Sequence, residues 1–406
     1  MKPRSSFFSK LAFALLWIFV FSIPVEKTIE IPGLGTIGRL AGLLALAGGA
    51  LAIALEGRFR IPTATHLLMA AFVLWAALSY RWSVAPEFTE ERFFTNLQLL
   101  TVPLLIWMLC SFEQRCLALL DAYVFGALLT SAQTVERFLS GTQTYYDRFA
   151  AGGFDPNDLA LTLAISLPIA YYLSLRRGLK WQWAYLLHMA SACFAILLTA
   201  SRGGTLAMVA GLSLIIWTLP SIPARRRMFL LAGGIAALAI ALILVPAASW
   251  QRLLTLASEM SEGTLNDRSV LWREGWRVFQ RSPFLGIGAG AYPVALIPAF
   301  GEPWHFTPVA HNSFLSVLVE TGVVGFVLFA AMLLVMAAMA LRLPWLERCF
   351  WLTVLAVWCL GVSALTWEYR KPTWFLFGIL VAHTALCLDN RARRWSPAPS
   401  PAGVLA

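Results

Sequence analysis

One histidine stands at the junction of two kinds of sequence. His311 follows a mixed polar and aromatic segment and opens the apolar stretch AHNSFLSVLVETGVVG, which runs from Ala310 to Gly325. An imidazole titrates near neutral pH and can take a proton from an attacking hydroxyl group. Asn312 could orient the ring or a sugar hydroxyl, and His305 could be a second contact in the same segment. We predict that His311 is a general base; a histidine that only caps the helix is the alternative.

Arginines supply the candidate anion-binding groups. Arg202 lies in the turn Thr199–Gly204 between two apolar stretches, where a charge is costly unless it is paired or faces water. Arg268, Arg273 and Arg277 lie in a later polar segment. A guanidinium group binds phosphate oxygens bidentately and stays charged, so these residues favour phosphate recognition. Snorkelling to lipid head groups is the alternative for Arg202, and anchoring at the membrane interface is the alternative for the others.

Two carboxylates near position 155 raise the question of a metal site. Asp155 and Asp158 flank Asn157 at the start of an apolar stretch, but no further ligands accompany them. Capping of a helix by Asn157 or Asp158 is the ordinary interpretation. Asn157 is also a possible secondary site residue. We predict no metal and no cofactor, with arginines neutralising an anionic group instead.

The chain that must position these residues is built for a membrane. Of its 406 residues, 59% are hydrophobic and only 13% are charged, far from the balance of a soluble domain. The sequence therefore predicts an all-α polytopic membrane protein. Gly322 and Gly325 predict a close-packing face on one of its helices. The predicted spans number about twelve: 11–23, 34–55, 64–80, 97–111, 116–139, 158–175, 181–199, 203–220, 228–247, 313–341, 347–366 and 373–388.

Basic residues orient these spans. Lys and Arg cluster in alternate short loops and at both termini, which marks that side as cytoplasmic. The opposite side, periplasmic in a bacterial cell, carries the longer segments 81–95, 140–158 and 248–310. The net charge of +10 is spread over the short loops, so anionic lipids or an anionic lipid-linked substrate are expected partners rather than nucleic acid.

The segment 248–310 is predicted to be a long periplasmic loop between spans 9 and 10. Within it, Asn266–Gln280 places Trp272, Trp276 and Phe279 on one helical face, which predicts a helix lying aromatic side down on the membrane. Gly286–Gly290 predicts a flexible turn rather than a nucleotide loop. Residues 1–406 are predicted to form a single membrane domain, with 396–406 as a disordered tail.

Together these features resemble the lipopolysaccharide O-antigen ligase family, within the O-antigen ligase/polymerase superfamily. The resemblance covers nearly the whole chain, through the twelve-span layout with one long late loop. Each motif is loose alone, but their order and topology are fairly specific. The motifs are H-N-x9-G-x-x-G at His311, Asn312, Gly322 and Gly325, S-R-G around Arg202, R-x3-W-x3-W from Arg268, and G-F-x-P-N at Gly153–Asn157.

The resemblance implies an inverting, metal-independent glycosyltransferase of the bacterial inner membrane. Its donor would be an O-antigen glycan on undecaprenyl pyrophosphate, and its acceptor the lipid A–core oligosaccharide. Arg202 and Arg268 would bind the pyrophosphate, and His311 would activate the acceptor hydroxyl. An O-antigen or exopolysaccharide polymerase and a protein O-oligosaccharyltransferase are alternatives from the same superfamily. A lipid-linked oligosaccharide flippase is a further alternative, but it predicts mid-membrane charges and internal repeats that the sequence does not display.

Overall fold

The computed structural model describes residues 6–28, 30–31, 33, 35–57, 59–144, 148–255, 268–300 and 308–395. These ranges form fifteen α-helices and one pair of two-residue antiparallel strands, β1 (Glu30–Ile31) and β2 (Gly35–Thr36). The helices are α1 (Phe7–Ser22), α2 (Ile37–Glu56), α3 (Ala64–Leu78), α4 (Pro86–Leu109), α5 (Glu113–Leu139), α6 (Pro156–Arg176), α7 (Leu179–Leu198), α8 (Arg202–Thr218), α9 (Ala224–Leu244), α10 (Ala247–Leu254), α11 (Arg268–Arg281), α12 (Tyr292–Phe300), α13 (Ser313–Leu341), α14 (Trp345–Val362) and α15 (Lys371–Trp395).

The all-α, multi-pass architecture predicted from the sequence is confirmed. Eleven helices in the described ranges are long and apolar enough to cross a membrane. The helix α1 falls short of that length: its 16 residues rise about 24 Å, less than the ~30 Å of a bilayer core. A helix lies at each of the twelve predicted spans, but the count of twelve crossings stays a prediction. The predicted tail at 396–406 lies outside the described residues.

One predicted boundary is wrong. The span expected at 97–111 belongs to α4, which begins at Pro86, so most of the predicted loop 81–95 is helical. Proline suits the first turn of a helix because its missing N–H would have no partner there. The acidic residues Glu87, Glu90 and Glu91 in the first turns hid this part of the helix from the hydropathy pattern.

Side-chain contacts join helix ends at two places in the bundle, and the sidedness predicted from Lys and Arg stays a prediction. At one end, Arg176 pairs with Glu113 and lies 3.6 Å from Glu347, which joins α6 to α5 and α14. At the other end, the Ser313 hydroxyl donates to the carbonyl of Leu365 at 3.0 Å, which joins α13 to the turn after α14. We call this second end the site end, because the candidate site residues lie there.

Helix α6 is the centre of the bundle. It packs against α5, α7, α8 and α14. In its 18-residue apolar stretch, 89% of the residues are buried. The helix α9 is the most exposed of these helices, with only 6% of its 18-residue apolar stretch buried. The site end of α6 is therefore held from several sides, and the residues placed there have defined positions.

The glycine motif of α13 has a different structure from the one expected. Gly322 does not contribute to a helix-packing face, because the helix is broken there, with φ 66° and ψ −172°. The Gly286–Gly290 segment, predicted to be a flexible turn, is buried and hydrogen-bonded against this break. Gly325 does pack closely against another helix: a Cβ there would lie 2.9 Å from the ring of Trp75 in α3.

Candidate active site at one end of the bundle

Two turns meet beside the start of α6. The guanidinium of Arg148 donates from Nε to the carbonyl of Thr199 at 2.6 Å and from Nη2 to Oδ1 of Asn157 at 2.9 Å. The Ser201 hydroxyl donates to the same Asn157 oxygen at 2.9 Å. Arg148 therefore fixes the turn that carries Arg202 against the start of α6. It was not singled out from the sequence, where it is one arginine in a long loop without a motif.

The second half of the site comes from α11 and the segment before α13. Arg268 is the first residue of α11, and His311 lies two residues before α13 begins. The indole of Trp272 donates to the carbonyl of Ala310 at 2.8 Å, so α11 is tied directly to the residue that precedes His311. The predicted aromatic face of α11 is thus divided: Trp272 bonds to the protein, whereas Trp276 is 48% exposed.

The three motif residues converge. The charge of Arg268 acts on His311, and the charges of Arg202 and Arg252 act on Arg268. Arg268 also lines one small recess together with Asn157 and the turn after Ser201. The residues that line this recess are Asn157, Leu161, Ser201, Gly203, Gly204, Arg268, Gly361, Ala364 and Leu365. The site end thus brings residues separated by more than a hundred positions into one cluster.

Positive charge dominates this cluster. Burial, together with the charges of Arg252, Arg268 and Arg202, lowers the pKa of Arg148 to about 10, against an opposing contribution from Asp155. Burial also lowers the pKa of Arg268, where Asp155 again opposes the neighbouring arginines. Mutual repulsion of this kind is relieved by a bound anion, so the cluster favours an anionic ligand.

His311 is held in its neutral form. Burial and, to a smaller extent, the charge of Arg268 lower its pKa to about 4, and the charge of Asp155 offsets part of the effect. A neutral imidazole can accept a proton, which is what a general base requires.

Helix N-termini add to the electrostatics. Ser201 caps α8 by accepting from Gly204 N at 3.2 Å, and Asn312 caps α13 by accepting from Leu315 N at 3.1 Å. The cap of α6 is Asp155, which accepts from the backbone N–H groups of Asn157 and Asp158. The sequence predicted that one of those two residues would be the cap. Each N-terminus carries a partial positive charge, so three helices reinforce the arginines.

Backbone strain is confined to the same place. Among the described residues, Ala200 and His311 are the two non-glycine residues with positive φ, at 48° and 46°. Each one immediately precedes a capping residue, Ser201 or Asn312. Residues in this region cost energy unless the surrounding structure fixes them, and they concentrate at functional sites.

The remaining predicted site residues have these positions. Asn157 and Asn312 use their side-chain oxygens within the protein, as described above. Arg277 pairs with Glu274 at 2.7 Å and is 61% exposed, and Arg273 is also exposed. Neither is among the charges that act most on His311 or Arg268. His305 lies outside the described residues.

The two acidic residues near position 155 have different partners. Asp155 is occupied as the cap of α6. Asp158 accepts from the indole of Trp367 at 2.8 Å and lies 3.9 Å from the guanidinium of Arg370. Each carboxylate is thus engaged within the protein, and the absence of a metal stays a prediction.

The fold and this site define a multi-pass membrane protein with a cationic, histidine-containing site at one end of its helix bundle. A family model and a curated relative each match part of the chain. Residues 186–330, which include Arg202, Arg268 and His311, match the family model described as O-antigen ligase. The chain is also 26% identical over 301 residues to the exopolysaccharide production protein ExoQ of Rhizobium meliloti (strain 1021), with 66% of this chain and 64% of ExoQ covered. Both matches support a place in the O-antigen ligase/polymerase superfamily, each over part of the chain.

Proposed function

We propose that this protein is an O-antigen ligase. It transfers an O-antigen glycan from undecaprenyl pyrophosphate to a sugar hydroxyl of the lipid A–core oligosaccharide. The observation that carries the proposal is the cluster of Arg148, Arg202, Arg252 and Arg268 beside a neutral His311. The site end would face the periplasm of the inner membrane, with both termini in the cytoplasm, in keeping with the bias of Lys and Arg between loops.

The geometry supports the following division of labour. Arg202 and Arg268 bind the pyrophosphate and stabilise the negative charge that grows on it as the glycosidic C–O bond breaks. The acceptor oxygen attacks the anomeric carbon from the opposite face, which inverts its configuration. His311 takes the proton of that hydroxyl and later releases it to water. Because pyrophosphate is already a good leaving group, arginine charge can perform the role that a metal has in other transferases.

The decisive experiment uses purified components. Wild-type protein in nanodiscs, supplied with undecaprenyl-pyrophosphate-linked glycan and rough lipopolysaccharide, should form ligated lipopolysaccharide. His311→Ala should abolish transfer while it leaves donor binding intact. Arg202→Ala and Arg268→Ala should weaken donor binding, and Arg277→Ala, on the exposed side of α11, is the matched control that should bind donor normally. Full transfer by His311→Ala would show that His311 is not the general base. Unchanged donor affinity in both Arg202→Ala and Arg268→Ala would show that these arginines do not bind the pyrophosphate.

The metal-independent mechanism has its own test. Addition of EDTA should leave the transfer rate unchanged, because arginines rather than a cation neutralise the leaving group. Strong inhibition that is reversed by a divalent cation would contradict this mechanism.

A second candidate function is polymerisation of lipid-linked repeat units. The match to ExoQ, an exopolysaccharide production protein, favours it. The two functions differ only in the acceptor. Incubation with the donor alone should give no product from a ligase, whereas a polymerase would give a ladder of lipid-linked chains. That ladder, together with an absence of ligated lipopolysaccharide, would replace the ligase proposal.

A further inference from the structure

The break in α13 is filled by backbone from the segment before α12. Ile287 N donates to the carbonyl of Val319 at 3.2 Å, and Gly288 N donates to the carbonyl of Glu320 at 2.9 Å. Beyond the break, Val323 N donates to the carbonyl of Pro283 at 2.8 Å. A break inside an apolar helix exposes backbone groups that need partners, and this segment supplies them.

Glycines permit this insertion. A Cβ on Gly286 would lie 2.4 Å from the carbonyl oxygen of Glu320, and a Cβ on Gly322 would lie 2.2 Å from the carbonyl oxygen of Phe284. Both residues also have positive φ, 72° and 66°. Close backbone approach and left-handed conformation each require glycine, so the two positions form one joint. This joint explains the presence of a glycine eleven residues after His311.

Glu320 secures the joint with its side chain. Its carboxylate accepts from Gly290 N at 2.7 Å and Tyr292 N at 3.4 Å, so it caps the start of α12. The residue is 6% exposed, and the positive charge that acts most strongly on it belongs to Arg92 of α4. Both oxygens of the Glu320 carboxyl group thus accept a backbone N–H, at a place from which water is largely excluded.

The contacts continue from Glu320 to the active site. The hydroxyl of Tyr292 donates to the carbonyl of Leu271 at 2.8 Å, one helical turn after Arg268. The fit of α12 against α11 is close, since a Cβ on Gly275 would lie 2.4 Å from that hydroxyl. The Trp272 indole then returns to Ala310, beside His311. Glu320 lies on α13, and His311 lies two residues before that helix begins, so these contacts form a closed ring.

We propose that Glu320 is a positioning residue that, through the glycine joint and Tyr292, sets the distance between Arg268 and His311. The role assigned to those two residues rests on the proposed function. The joint itself is a property of the fold and can be measured without a substrate.

The first test is hydrogen–deuterium exchange of Glu320→Gln in nanodiscs. An amide side chain has one acceptor oxygen where the carboxylate has two, so peptides covering 286–292 should exchange about tenfold to a hundredfold faster than in wild type. Glu347→Gln is the matched control, because Glu347 is also a buried glutamate of an apolar helix but lies at the opposite end of the bundle, 3.6 Å from Arg176. Equal exchange in wild type and Glu320→Gln would overturn the proposal.

The second test separates positioning from general loss of structure. If Arg268 moves away from His311, the acid limb of kcat/KM should shift to higher pH in Glu320→Gln, and donor KM should rise. Tyr292→Phe, which removes only the bond to Leu271, should raise donor KM without faster exchange at 286–290. Glu320→Asp should recover part of the wild-type behaviour. An unchanged pH profile in Glu320→Gln would overturn the positioning role, whereas wild-type protein that transfers no glycan would refute the proposed function instead.

Discussion

Substitution of His311 by asparagine tests the electrostatics of the site directly. Asparagine accepts positive φ better than most residues, so His311→Asn should preserve the backbone while it removes the titrating group. In the wild type, burial and Arg268 lower the pKa of His311 from 6.5 to about 4. That difference corresponds to about 3 kcal/mol against protonation, an upper value because the ring is partly exposed.

The sign follows from proton linkage. Between pH 6.5 and 4 the unfolded chain binds a proton at this histidine and the folded protein does not, so acidification stabilises the unfolded state. The free energy of unfolding of wild type should therefore fall, relative to that of His311→Asn, by up to about 3 kcal/mol between pH 7 and pH 4. Unfolding in detergent, followed for both proteins from pH 7 to pH 4, measures the difference between their free energies of unfolding. The contributions of titrating groups that the two proteins share cancel in this difference. A difference that stays constant with pH would refute the lowered pKa of His311.

Three further predictions concern the same end of the bundle. At saturating donor, kcat should fall on the acid side with a midpoint above pH 4, because bound pyrophosphate offsets the arginine charges and raises the pKa of His311. Equal midpoints for kcat and kcat/KM would contradict this. Gly204→Ala should lower stability by about 1–3 kcal/mol, since its Cβ would lie 2.3 Å from that of Ala160, whereas Gly233→Ala, whose Cβ meets no atom within 4 Å, should not; equal unfolding temperatures would count against this packing. Arg148→Lys should lower both the unfolding temperature and donor affinity, because an ammonium group cannot reproduce the geometry of the guanidinium bonds to Thr199 and Asn157; wild-type values for both would exclude its role as a clamp.

Much of the architecture follows from local sequence. Apolar segments of membrane length report burial in lipid directly, so the helices could be predicted one by one. The alternation of Lys and Arg among short loops predicted which loops share an end, and contacts such as Arg176 with Glu347 agree with that grouping. The prediction was wrong at α4, where the acidic first turns after Pro86 do not look like part of a span.

The candidate site was only partly accessible from the sequence. Arg202, Arg268 and His311 could be selected because each has a residue type and motif suited to glycan transfer from a pyrophosphate. Arg148 could not be selected, because its importance comes from a bond to Thr199, fifty-one residues away, and nothing near it in the sequence indicates that contact.

Glycine positions show the same limit. The spacing of apolar residues predicts that Gly322 is a small residue on one face of a helix. An unbroken helix would have the same spacing, so the sequence does not reveal the break. Its actual function depends on Gly286, a residue of another segment, and on the carboxylate of Glu320. The sequence by itself determined the helices, their grouping at two ends and the chemical types available for catalysis, because these depend on local composition. Only the tertiary structure decided that Arg268 lies near both Arg202 and His311 and that the helix before Val323 is broken at Gly322, because both depend on contacts between distant parts of the chain.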